Sequence, residues 1–125
     1  MSLTDGDVAL LARQAADLLD PASDVRIEPA DPVDPYRFGS QSWVVRTPVA
    51  NVGASAEDSA AELLARLVDQ MSAYGDEAAP FYGRAFPACP GHRHPARAVV
   101  DGSEVVLRCP ETDHEVARIR PAVPA

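Results

Sequence analysis

Two cysteines and three histidines, all that the 125-residue chain contains, fall between positions 89 and 114. The first group reads Cys89-Pro90-Gly91-His92-Arg93-His94, the second Cys109-Pro110-Glu111-Thr112-Asp113-His114. Thiolate and imidazole are the donors zinc favours in four-coordinate sites, often with two ligands on one tight turn two to four residues apart. A turn has few free dihedrals and so pre-orients what it carries; Pro90 and Gly91 favour one after Cys89. Other chemistries compete for the same residues. A cysteine nucleophile could pair with a histidine, Cys109 with His114 or Cys89 with His92. Catalytic pairs usually meet from distant elements, so spacing this local fits ligation better. A Cys89–Cys109 disulfide and two thiols buried as small hydrophobes are the remaining readings.

The element that must position these groups is a hairpin. Residues 97–100 and 104–108 read as strands that flank Asp101-Gly102, a pair that supports a tight turn because Gly tolerates positive φ. A hairpin brings the residues before its first strand near those after its second, so positions 89–94 and 109–114 converge. The CPGH and CP-x-T turns, over about residues 89–119, resemble a zinc-ribbon-like knuckle pair. His92 stands where the first knuckle of such a pair usually has a second Cys, and Thr112 where the second has a ligand. A full set must therefore recruit another histidine. The expected metal ligands are Cys89, His92, His94 and Cys109, with His114 as the substitute for His94.

A closed site of this kind is structural, whereas catalytic zinc keeps a water position and a carboxylate base. The nearby acids Glu111, Asp113 and Glu115 sit on an exposed turn, and neither H-E-x-x-H nor the zinc-deaminase pattern occurs. No G-x-S-x-G elbow is present either. The stretch VANVGAS at 49–55 has one Gly and no Lys, so it reads as a connecting loop and not as a phosphate cradle.

Further from the site, the 3.6-residue period is clear twice. Thr4 caps a helix over 5–19, with Asp7 reaching back and Val8, Leu11, Ala12, Ala15, Leu18 and Leu19 on one face. Ser55 and Asp58 open a second helix whose stripe is Ala60, Leu64, Leu67, Val68 and Met71, and Gly75 stops it. Between them, Val25 and Ile27 mark a short strand and Trp43, Val44 and Val45 another at about 40–47. The Pro-rich loop at 29–39 is expected to carry Tyr36 and Phe38 inward. A second aromatic group, Tyr74, Phe81, Tyr82 and Phe86, is expected to cover one end of the core. A last strand spans 115–119. The order α-β-β-α-β-β-β predicts an α+β fold, two helices packed on a small antiparallel sheet. One domain is expected over 1–120, with an α-β-β-α part at 1–83, the zinc-knuckle-like hairpin part at 84–120 and a flexible tail at 121–125.

Composition narrows the function. All 11 basic residues are Arg, so lysine chemistry is excluded. Residues 1–83 hold 5 Arg against 14 acids, net -9, and residues 84–125 hold 6 Arg against 5 acids, net +1. An overall charge of -8 disfavours a nucleic-acid backbone as the main partner. The start lacks a charged n-region and an apolar run, and no stretch is long enough to span a membrane. With two cysteines, the expectation is a small soluble cytoplasmic protein, and the Lys-free, Ala/Arg/Pro-rich composition fits a GC-rich bacterial genome. By elimination, the expected role is a non-enzymatic protein-interaction or regulatory module with a structural zinc, whose partner is another protein. The alternatives are a small zinc-dependent hydrolase with an open metal site and a zinc-ribbon-type nucleic-acid binder using Arg93, Arg97 and Arg108.

Overall fold

The computed structural model describes residues 2–30, 42–75, 86–92 and 94–123. Helix α1 spans Asp5–Leu19, and its Thr4 cap forms the expected box: the Thr4 hydroxyl accepts from the Asp7 N–H while the Asp7 carboxylate accepts from the Thr4 N–H. Two orphan donors of the first turn are thereby satisfied. Its buried face is Val8, Leu11, Ala12, Ala15, Ala16 and Leu19, while Leu18, expected on that face, is exposed. Three strands follow, β1 (Arg26–Pro29), β2 (Trp43–Arg46) and β3 (Asn51–Ala54). Helix α2 (Ala60–Gly75) comes next, then β4 (Arg97–Asp101), β5 (Glu104–Arg108) and β6 (Glu115–Ile119).

The class is α+β and the order follows the expectation, with one strand more. Residues 51–54, expected as a loop, pair antiparallel with β2, Val45 lying opposite Val52. Val52 and Ala54 face the core and Gly53 does not, the period-2 alternation of a half-buried strand. The single small sheet expected is instead two sheets of three strands, β1-β2-β3 and β4-β5-β6, each antiparallel between sequence neighbours. The physical reason is α2. It packs against α1, touches β3 of one sheet, and lies on β4 and β5 of the other.

That central position explains the breadth of its apolar arc. Besides Ala60, Leu64, Leu67, Val68 and Met71, it buries Ala61, Leu63 and Ala65. A helix with neighbours on several sides needs more than one stripe. Its N-cap is Ser59, whose hydroxyl accepts from the Glu62 N–H. Ser55 and Asp58, expected as the cap, instead form a turn just before it: the Asp58 carboxylate accepts from the Ser55 N–H, and Arg66 clamps that carboxylate with two nitrogens.

Gln14 of α1 reaches the C-terminal end, donating to the Arg120 carbonyl and accepting from the Ala122 N–H, each at 2.8 Å. Val123 is buried. Residues 121–123, expected to fray, are therefore docked on α1. The expectations for Tyr36, Phe38, Phe81, Tyr82 and Arg93 lie outside the described residues. Of the aromatics that are described, Phe86 is buried as expected and Tyr74 is exposed.

Candidate metal centre

The β4–β5 hairpin sets the register. Asp101 lies opposite Glu104, so the two-residue loop is Gly102-Ser103, and Gly102 takes φ +62°. At the other end Arg97 lies opposite Arg108, which puts Cys109 beside the residues that lead into β4. A bridge between Ala88 and Pro95 closes the loop that carries Cys89, His92 and His94, and the Ala96 N–H donates to the Pro87 carbonyl beneath it.

The first turn is the one that Pro90 and Gly91 predict. The His92 N–H donates to the Cys89 carbonyl at 3.0 Å, and Gly91 has φ +80°, where a Cβ would be strained. The second turn is closed by Asp113 N–H to Cys109 carbonyl at 2.7 Å and Cys109 N–H to His114 carbonyl at 3.0 Å. Asp113 takes φ 60°, a left-handed conformation that Asp tolerates better than most residues.

These two turns bring four donors together. One ligand atom from each of Cys89, His92, His94 and Cys109 lies within 4.8 Å of the other three. His92 Nδ1 is 3.4 Å from Cys89 Sγ and 3.3 Å from Cys109 Sγ. Tetrahedral zinc with ordinary bond lengths separates its nitrogen and sulfur ligands by about 3.5 Å. Both sulfurs are buried and both imidazoles half-buried. His114 is outside the cluster: it is exposed, and its Nδ1 meets the Thr112 hydroxyl. The choice between His94 and His114, open from sequence, falls to His94 on proximity.

The two thiols differ electrostatically. Cys109 is lowered to about 6, chiefly by the hydrogen bond from the Thr112 hydroxyl; burial opposes this, and the Thr112 and Glu111 N–H groups and the Cys89 thiol add to it. Cys89 is raised, by burial first and then by its hydrogen bond to Cys109 and the charges of Cys109 and Glu111. Thr112 is a poor ligand, yet in the ligand-like position of the second turn it donates to the Cys109 sulfur. Spacing alone did not reveal that role.

The two imidazoles are held by different neighbours. His94 Nδ1 lies 3.2 Å from the Pro95 carbonyl, which accepts its proton and leaves Nε2 as the bare nitrogen. His94 Nε2 is buried and has no hydrogen-bond partner. An orphaned buried acceptor is costly unless something satisfies it. Glu111, read from sequence only as an exposed acid, reaches both rings: its carboxylate is 3.6 Å from His92 Nε2 and 3.5 Å from His94 Nε2.

No family model matches the chain, and no curated protein or solved structure is similar to it. The site therefore stands on its own chemistry. Two sulfurs and two nitrogens at these separations can hold a metal ion. Two of the arginines a nucleic-acid reading needs are engaged within the chain, Arg97 with the Asp113 carboxylate and Arg108 with the Asp113 carbonyl. No helix among the described residues is long and apolar enough to cross a membrane.

Proposed function

We propose that Cys89, His92, His94 and Cys109 bind one zinc ion as a structural site, a staple joining two knuckle-like turns at the base of the β4–β5 hairpin. The observation that carries this reading is the convergence of the four donor atoms within 4.8 Å of one another. Zinc is favoured over magnesium or calcium because the donors are thiolate and imidazole, whereas those ions take oxygen. The role is structural because four protein donors complete a tetrahedron and leave no position for water or substrate.

The protein built on this staple is a non-enzymatic interaction or regulatory module, and its partner is another protein. A net charge of -8 and the internal engagement of Arg97 and Arg108 weigh against nucleic acid. Substitution with Co²⁺ tests the site. The loaded protein shows the visible bands of a tetrahedral ion and thiolate charge transfer; Cys109→Ser loses one thiolate's share of the charge-transfer intensity, Cys89 keeping the other, and His114→Ala keeps the whole spectrum. An octahedral spectrum, or one unchanged by Cys109→Ser, contradicts the assignment.

A further inference from the structure

Glu111 belongs to the second turn by sequence and to the first by contact. Its backbone N–H points to the Cys109 sulfur, while its side chain reaches the imidazoles of His92 and His94 across the site. The two rings present different nitrogens. His92 turns Nδ1 toward both sulfurs, so its Nε2 points outward to the carboxylate, 3.6 Å away. The Glu111 carboxylate is also 3.5 Å from His94 Nε2, so what separates the two rings is the partner of Nδ1: His94 gives Nδ1 to the Pro95 carbonyl and so keeps Nε2 for the site. A histidine that ligates through one nitrogen donates the other N–H to a carboxylate or carbonyl, and that partner fixes its tautomer and ring angle.

We propose that Glu111 is the positioning residue of the metal centre: its carboxylate accepts the Nε2 proton of His92 and so commits His92 to bind through Nδ1, while the Pro95 carbonyl commits His94 to bind through Nε2. The site is thus of mixed linkage, and the acid that sets it is carried by the opposite turn. An exposed acid three residues before His114 carries no such assignment in sequence, because nothing there shows that its side chain crosses to residues 92 and 94. The assignment rests on the zinc reading, since it concerns how two of the four ligands are oriented.

The test uses the full chain loaded with zinc, with ¹⁵N-labelled histidine. Long-range ¹H–¹⁵N correlations report which nitrogen of each ring holds the proton and which the metal. The expected spectrum has His92 protonated at Nε2 and His94 protonated at Nδ1. Zinc affinity, read by competition with a chromophoric chelator, falls about 10- to 100-fold in Glu111→Ala. Much of that loss returns in Glu111→Gln, whose amide oxygen still accepts a hydrogen bond. Zinc bound to His92 through Nε2, or Glu111→Ala binding as tightly as the parent, overturns the assignment while leaving the zinc site intact. A parent protein that takes up no zinc overturns the metal reading, and this assignment with it.

Discussion

The two sides of the core around α2 face different problems. Toward α1 and the β1-β2-β3 sheet the helix shares the core with Val8, Leu11, Val45 and Val52, fully or nearly buried branched side chains. Toward β4 and β5 it meets Ala98, Val105 and Leu107, with Phe86, Cys89 and Cys109 completing that side of the core. The first region is held by area removed from water, at roughly 25 cal/mol per Å² of apolar surface. The second has fewer large side chains, turns dense in proline and glycine, and four soft donors gathered where the core runs out. On the proposed zinc site, a domain of ordinary size is self-sufficient in one part and locally dependent on a ligand in another.

The predictions separate those two parts. Chelation of zinc, or Cys89→Ser, produces the largest difference: amide exchange in 86–92 and 94–119 accelerates by orders of magnitude, while the centres of α1 and α2 stay protected. Equal acceleration in both regions breaks the comparison. Leu67→Ala does the reverse. It removes a fully buried side chain from α2 and costs about 2–5 kcal/mol by urea denaturation of the zinc-loaded protein, with zinc stoichiometry unchanged.

Thr4→Ala removes the capping hydroxyl of α1 and costs about 1 kcal/mol, again without touching zinc content. Smaller still is an acid effect at the turn before α2. Burial pushes the Asp58 carboxyl up, but the Arg66 guanidinium and the Ser55 N–H outweigh it and hold it below the usual range. Its contribution is therefore present at neutral pH and lost as the pH falls below about 4, through its folded-state value. Asp58→Asn flattens that part of the stability–pH curve; an unchanged slope contradicts the pairing.

Much of the scaffold was legible in the sequence, for identifiable reasons. The bounds of α1 follow from Thr4, Asp7 and Pro21, and those of the hairpin from Gly102 between two valine-rich runs. Strand β3 was not legible. Its four residues, NVGA, contain one branched side chain and a glycine, and only the pairing with β2 makes them a strand. Ser59 was overlooked because Ser55 and Asp58 carry the stronger local signal and use it on a turn. Gln14 lies off the apolar face of α1, and no local signal ties it to the Arg120 carbonyl or the Ala122 N–H.

The site was partly legible. Residue type and spacing point to Cys89, His92, His94 and Cys109 with His114 as substitute, and the structure groups His94 with the other three on a loop closed by the Ala88–Pro95 bridge. The parts that Glu111 and Thr112 play were hidden for the same reason. Each depends on where a side chain goes after the turn closes, and spacing cannot report that.

The central claim is that the thiol–imidazole cluster holds a structural zinc. Elemental analysis of the purified full chain tests it most directly, measured before and after dialysis against a strong chelator and paired with thermal unfolding of both samples. The account predicts about one zinc per chain before dialysis, none after it, and a lower Tm for the stripped protein that returns when zinc is restored. A protein that purifies without metal, takes up none, and unfolds at the same temperature with or without chelator contradicts it.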